Sequence, residues 1–115
     1  MRIIDSQNPI HVDELREMAA AMFGDMVKAV VDIERDIMAV DAELHADEEA
    51  LLIENGSDLN GLWGINLYPE LEGNDFVEFN SMINLRPSQG NRSRGVENPI
   101  IQDRIRNIVN RLVIR

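Results

Sequence analysis

The chain has 115 residues, of which 44% are hydrophobic, and carries a formal net charge of −10. This size and composition predict one globular domain over residues 1–115, and the absence of cysteine excludes disulfides, thiolate catalysis and cysteine-based metal sites. No apolar run reaches the roughly 18 residues of a membrane span or forms the core of a signal peptide, so we expect a cytoplasmic protein without a membrane partner.

The first predicted elements are a short strand and a helix. Ile3-Ile4 can begin the strand. From residue 12 to residue 23, apolar side chains recur at helical spacing. His11 stands at the N-cap position, Glu14 completes a capping box, and Gly24 suits the end of a helix. We therefore predict a helix over 12–23.

Two alternating segments follow the first helix. Residues 26–34 and 37–45 each place apolar side chains on one side, and Glu34-Arg35-Asp36 between them fits a turn, which predicts a hairpin with one buried face. Residues 46–56 have two interpretations. Acidic residues at the start and Gly56 at the end favour a short helix. The run Leu51-Leu52-Ile53 also fits a buried strand.

The second half of the chain adds two strands and a helix. Residues 61–69 and 76–86 are predicted as strands, and Asn98-Pro99 provides an N-cap and a first-turn proline for a C-terminal helix. The order of elements predicts an α+β fold. In this fold an antiparallel or mixed sheet of about four to five strands has two or three helices packed on one face.

If the helices cover one face, strand parity places a polar set of side chains on the other. The set is Asp41, Glu43, His45, Asn66, Tyr68, Glu78, Asn80, Asn84 and Arg86. Asparagine is disfavoured in strands, so three asparagines at matching parity favour a hydrogen-bonding surface for a polar ligand. The alternatives are a solvated sheet face and a dimer interface with polar pairs across strands.

The alternation Asp41-x-Glu43-x-His45 brings two carboxylates and an imidazole to one side of a predicted strand, at intervals of about 6–7 Å. These groups can converge on a divalent metal, or form an acid/base cluster in which the carboxylates raise the histidine pKa. Alternating acids on an exposed strand also serve solubility alone. We assign no metal ligand here, and we treat Glu43 and His45 as the candidate catalytic pair.

The segment Arg86-Pro87-Ser88-Gln89-Gly90-Asn91-Arg92-Ser93-Arg94-Gly95 departs from the acidity of the chain. Residues 86–115 hold seven of the eleven basic residues and two acids, a net charge of +5. The segment precedes a helix N-terminus, its glycines allow backbone N–H groups to turn inward, and arginine forks suit phosphate or carboxylate. The candidate ligand-binding residues are Asn66, Tyr68, Asn84, Arg86, Gln89, Asn91, Arg92 and Arg94. In the alternative interpretation, the arginines pair with local acids and hold the loop in place.

Three functions follow from these patterns. The preferred one is binding of an anionic small molecule or phosphate group by the 86–94 loop. The second is a hydrolase or lyase that uses Glu43 and His45 as acid and base. The third is a structural or regulatory homodimer. No phosphate-loop, dinucleotide or other cofactor motif is present, and the acidity of the chain disfavours a nucleic-acid partner.

Three blocks carry a resemblance to a known family. They are Glu43-Leu44-His45-Ala46-Asp47, Leu62-Trp63-Gly64-Ile65-Asn66-Leu67-Tyr68-Pro69 and Ile83-Asn84-Leu85-Arg86-Pro87-Ser88-Gln89-Gly90-Asn91-Arg92-Ser93. They resemble a small prokaryotic family of uncharacterised proteins, a domain of unknown function of about this length. The resemblance covers most of the chain and implies a single-domain prokaryotic protein. It assigns no activity, cofactor or catalytic residue.

Overall fold

A computed structural model describes all 115 residues and contains three α-helices. The helices are α1 (Val12–Ala21), α2 (His45–Glu54) and α3 (Pro99–Leu112). Four short 3₁₀ turns lie between them at Leu59–Gly61, Gly73–Phe76, Met82–Asn84 and Pro87–Gln89. None of the helices is long and apolar enough to cross a membrane.

Seven strands complete the fold. They are β1 (Arg2–Ile4), β2 (Ile10–His11), β3 (Val27–Asp32), β4 (Ile37–Val40), β5 (Leu62–Leu67), β6 (Val77–Glu78) and β7 (Val113–Ile114). Five of them form an antiparallel sheet in the order β1-β4-β3-β5-β6, and β2 pairs in parallel with β7. The predicted α+β fold with about five sheet strands is confirmed, with α1 and α3 together on one face.

The helix starts follow from local capping. The His11 side chain accepts a hydrogen bond from the backbone N–H of Asp13, and the Glu14 carboxylate accepts one from the backbone N–H of His11. Asn98 caps α3 by accepting from the N–H of Ile100, and Pro99 occupies the first turn. These contacts satisfy N–H groups that would otherwise have no partner, and both predicted helix starts are therefore confirmed.

The main hydrophobic core lies between the sheet and the pair α1 and α3. Fully buried residues such as Leu15 from α1, Ile105 and Ile108 from α3, and Val31 and Ile65 from the sheet belong to one cluster. Burial of apolar area at about 25 cal/mol per Å² makes this layer the principal source of stability.

The opposite sheet face is not left open, because α2 packs on part of it. Leu52 of α2 forms a second apolar cluster with Val30, Ala39 and Leu62, whose parity is opposite to that of the main core. Residues 45–54 are thus a helix, as the composition of this segment favoured, and the strand alternative is wrong. Helix α2 therefore covers part of the sheet face that strand parity predicts to be polar.

The predicted strand over 37–45 is too long. β4 ends at Val40 because Asp41 has a backbone φ of 72°, a left-handed conformation that turns the chain out of the sheet. The N–H of Ala42 then donates to the carboxyl group of Glu48 at 3.2 Å. His45 is consequently the first residue of α2, and the strand alternation with Asp41 and Glu43 does not exist.

The predicted strand over 76–86 is also too long. β6 contains only two residues, and the chain then folds into a loop over β5, where Asn84 lies in a 3₁₀ turn. A Cβ atom added to Gly64 would lie 2.5 Å from the Cβ and Oγ atoms of Ser81. Glycine at position 64 therefore allows this loop to contact the sheet directly.

Candidate ligand-binding cleft

The largest depression on the surface is a cleft of about 510 Å³ on the sheet face that α2 partly covers. Its polar lining residues are Lys28, His45, Asn66, Tyr68, Glu78, Asn80, Ser81 and Arg94. Its apolar lining residues are Met26, Leu44, Ala46, Met82 and Ile83. The three other depressions measure about 340, 240 and 240 Å³. The large cleft is thus the candidate binding site, because it combines apolar walls with a few polar groups.

Three polar side chains form a lateral row in the floor of this cleft. Lys28 of β3 is paired with Asn66 of β5, and Asn66 is paired with Glu78 of β6. Directly paired residues of antiparallel strands lie about 4.5–5.5 Å apart at Cα and point to the same face. The row is therefore ordered cation, amide, anion across three neighbouring strands.

The amide of Asn66 is held in a fixed orientation. Its Nδ2 donates to the Glu78 carboxylate at 2.8 Å and to the backbone carbonyl of Asn80 at 3.3 Å. Tyr68 donates its hydroxyl proton to the same Glu78 oxygen at 3.0 Å. Asn66 is only 5% exposed, yet its Oδ1 has no hydrogen-bond partner. A buried acceptor without a donor costs about 1–3 kcal/mol, and this atom can accept a further hydrogen bond.

His45 lies beside this row with one ring nitrogen already used. Nε2 is 2.8 Å from the carbonyl oxygen of Ile65, to which it can only donate, so the neutral ring carries its lone pair on Nδ1. Burial lowers the pKa of His45, and the charges of Lys28 and Arg94 lower it further, against the hydrogen bond with Ile65 and the nearby Asn66 side chain. The expected increase of this pKa by neighbouring carboxylates is therefore wrong, and the ring is neutral at pH 7.

The N-terminus of α2 opens into the same cleft. No side chain caps this helix at its N-cap residue, Leu44. The backbone N–H groups of His45 and Ala46 make no hydrogen bond within the chain, and both residues line the cleft. Unpaired N–H groups and the helix dipole give this end of α2 a partial positive charge.

Two side-chain cations line the cleft without a carboxylate partner. Neither Lys28 nor Arg94 takes part in a salt bridge, whereas Arg2, Arg16 and Arg104 do. The Lys28 ammonium lies 5.0 Å from the centre of the Phe23 ring. Both charges act on the His45 ring, as the lowered pKa of that residue indicates. The cleft thus holds positive charge that the chain itself does not neutralise.

The cleft contains some of the residues selected from the sequence. His45, Asn66, Tyr68 and Arg94 all line it. Glu43 is exposed and does not line it, so the candidate catalytic pair is not brought together there. No group of three or more His, Asp or Glu side chains is arranged to hold a metal ion.

Two of the selected asparagines lie inside the protein and hold the 79–97 loop. Asn84 is fully buried, where it accepts a hydrogen bond from Gly64 N–H at 2.8 Å and donates to the carbonyls of Gly64 and Arg94. Asn91 is 4% exposed and donates to the carbonyls of Asn84 and Gly95 at 2.7 and 2.8 Å. Their hydrogen-bonding capacity is thus used within the chain.

The basic loop is also largely engaged internally. The Arg86 guanidinium donates to the carbonyls of Ile83 and Leu62 and stacks 4.7 Å from the centre of the Trp63 ring. Burial lowers the pKa of Arg86, against the charge of Glu49. Gln89 donates to the side chain of Asn60, and Arg92 is exposed and does not line the cleft. Arg94 is the only arginine of the loop that lines the cleft.

Two charged residues of the cleft, Lys28 and Glu78, were not among the candidate site residues predicted from the sequence. Lys28 is the only lysine of the chain and interrupts the apolar strand Val27-Lys28-Ala29-Val30, a signal that was readable. Glu78 had the correct parity but was not among the selected ligand-binding residues. Its position beside Asn66 depends on the pairing of β5 with β6, which the sequence does not reveal.

Comparison with known proteins places the chain in a family. No curated protein and no solved structure matches it. A family model does match, over residues 2–112, which is nearly the whole chain. The resemblance seen in the sequence is thereby confirmed for a single small domain of unknown function. The chain belongs to the family described as "Protein of unknown function (DUF5674)".

Proposed function

We propose that the cleft binds a small anionic molecule, whose anionic group lies among Lys28, Arg94 and the free N-terminus of α2. The observation that carries this proposal is the convergence of two unpaired cations and unpaired helix N–H groups in one concave site. Charge-assisted hydrogen bonds from such donors are about twice as strong as neutral ones. A helix N-terminus adds further donors oriented toward an anion.

This proposal moves the anion site from the loop to the cleft. Arg86, Gln89 and Asn91 make the internal contacts of the loop, so only Arg94 contributes from this segment. Asn66 orients the part of the ligand that lies outside the anionic group, because its Oδ1 is buried and has no hydrogen-bond partner in the chain. Since Glu43 does not line the cleft, we propose binding rather than acid/base catalysis as the function of this site.

The test is to titrate the protein with two anions, the carboxylate 4-methylpentanoate and inorganic phosphate. Binding is measured by calorimetry and by the shifts of amide signals in NMR spectra. Lys28→Gln and Arg94→Ala each remove one cation from the cleft. Arg92→Ala removes the same charge from the same loop but outside the cleft, which makes it the matched control. We expect at least one of the two probes to bind, and to bind to wild type and to Arg92→Ala with the same affinity. Both cleft variants should bind it about tenfold or more weakly, as loss of a charge-assisted hydrogen bond implies.

The location of the bound anion provides a second readout. The amide signals of Ala46 and Lys28 should shift on titration, because both residues line the cleft where we propose that the anion binds. Equal affinity of the probe for the Arg92→Ala and Arg94→Ala proteins would refute the proposal. The proposal is also refuted if neither 4-methylpentanoate nor phosphate binds to the wild-type protein.

A further inference from the structure

The cleft contains one negative side chain opposite its cations, and this restricts the ligand. We infer that the ligand is a zwitterion of the α-amino acid type, with an apolar side chain. Its carboxylate occupies the anion site of the proposed function, on which this inference rests. Its ammonium group lies at Glu78, Asn66 and His45.

The charge order of the cleft floor supports a ligand with both signs. Lys28 and Glu78 stand at the two ends of the row, with Asn66 between them. They do not form a salt bridge with each other, so neither charge is neutralised by the other. A simple anion in this cleft is repelled by the Glu78 carboxylate, whereas a zwitterion compensates both ends.

The acceptors around Glu78 outnumber the donors that the chain supplies. Asn66 Oδ1 is buried and has no partner, and the neutral His45 ring has a lone pair on Nδ1. The Glu78 carboxylate accepts from Asn66 and Tyr68 through Oε1, which leaves Oε2 without a partner in the chain. An ammonium group has three N–H donors and no acceptor, which matches these three open acceptors.

The rim of the cleft accounts for the apolar part of the ligand. Leu44 and Met82 are 55% and 63% exposed, although both are large apolar side chains. They line the cleft together with Met26 and Ile83, next to the polar floor. An aliphatic side chain bound here buries apolar surface of the protein and of the ligand, and methionine adapts well to different shapes.

The first experiment compares three matched probes by calorimetry on the wild-type protein. L-Leucine has both charged groups, 4-methylpentanoate lacks the ammonium group, and 3-methylbutylamine lacks the carboxylate. We expect leucine to bind about tenfold or more tightly than either of the others, since each loses one set of charge-assisted hydrogen bonds.

The second experiment assigns the ammonium site. Glu78→Gln keeps an oxygen acceptor for Tyr68 and removes the charge, and the exposed Glu54→Gln on α2 is the matched control for the loss of one negative charge. We expect Glu78→Gln to abolish the preference for leucine over 4-methylpentanoate. Binding of 4-methylpentanoate should not weaken, because the carboxylate that repels it is gone. Glu54→Gln should retain the preference. Unchanged NMR spectra away from the cleft will show that both variants are folded.

The outcomes separate this inference from the proposed function. If 4-methylpentanoate binds as tightly as leucine and still requires Arg94, the zwitterion inference is wrong and anion binding stands. If 3-methylbutylamine binds as tightly as leucine, the site takes cations and both proposals are wrong. A preference for leucine that survives in Glu78→Gln also overturns the inference.

Discussion

The substitution Glu48→Gln tests whether a buried acid of α2 is protonated in the folded protein. Glu48 is 0% exposed and lies one helical turn after His45. One of its oxygens accepts from the N–H of Ala42 at 3.2 Å, and the other has no partner. Burial raises the pKa of Glu48 to about 9, and the charge of Asp41 acts in the same direction, against the Ala42 hydrogen bond and the charge of Lys28.

The direction of the pH effect follows from proton binding in the two states. The reference pKa of the carboxyl group is 4.5, which we take for the unfolded chain, and the folded value is about 9. Between these limits the folded protein holds a proton that the unfolded chain has lost. The free energy of unfolding therefore decreases as pH rises, by about 1.4 kcal/mol per pH unit from this group. From pH 5 to pH 8 the decrease is about 4 kcal/mol.

Glutamine at this position keeps an oxygen acceptor for Ala42 and cannot ionise. The variant therefore lacks this pH-dependent loss of stability. Other titratable groups contribute equally to the pH dependence of the free energy of unfolding in both proteins. One of them is His45, whose pKa is lowered by burial, so that its protonation destabilises the fold at low pH. In the difference between variant and wild type these contributions cancel. We expect the variant to gain about 4 kcal/mol on wild type between pH 5 and pH 8.

The assay is urea unfolding of both proteins at pH 5, 6, 7 and 8, with the free energies compared at each pH. Glu54→Gln on the same helix is the control, because its carboxylate is exposed to water in the folded state as well. Its difference from wild type should not vary with pH. A constant difference for Glu48→Gln across this range would show that Glu48 ionises normally in the folded protein, and the reasoning from burial would be refuted.

Two further predictions concern the loop that covers β5. Gly64→Ala should lower the free energy of unfolding by about 1–3 kcal/mol, because the new Cβ would lie 2.5 Å from Ser81. Gly95→Ala, whose Cβ meets nothing closer than 3.4 Å, is the control, and equal losses in urea unfolding would contradict this contact. Arg86→Lys should lower the free energy of unfolding by about 1–2 kcal/mol and change the fluorescence of Trp63, the only tryptophan. Lysine can neither stack on the indole ring as a guanidinium does nor donate several hydrogen bonds from one planar group. Unchanged emission and stability would refute that role.

Elements with local signals were predictable from the sequence. The start of α1 depends on His11 and Glu14, and the start of α3 depends on Asn98 and Pro99, which lie next to the residues that they cap. The strand β5 was predictable because Leu62, Trp63, Ile65 and Leu67 form a short, mostly apolar segment between turns. In each case the stabilising contact is close in sequence, so composition and spacing report it directly.

The errors occurred where distant contacts override alternation. Residues 41–45 alternate as a strand would, but Asp41 turns the chain away and Glu48 fixes the turn through Ala42. Polar and apolar residues also alternate over 79–86, although this segment is a loop. Asn84 is polar there because its side chain forms hydrogen bonds with the backbone of Gly64, and not because it lies on the exposed side of a strand. Periodicity alone does not distinguish these cases.

Two features of the candidate cleft can be predicted from the sequence, each on its own, and a third cannot. Strand parity places Lys28 and Asn66 on the same face as Val30, so this face changes from apolar to polar within one pleat. The composition of residues 45–54 favours a helix, which gives an N-terminus with free N–H groups. What the sequence does not reveal is that this helix packs on that face with His45 beside Asn66. The position of α2 turns a polar end of a sheet into a walled cleft, and the unpaired Asn66 oxygen lies where the helix and the sheet meet.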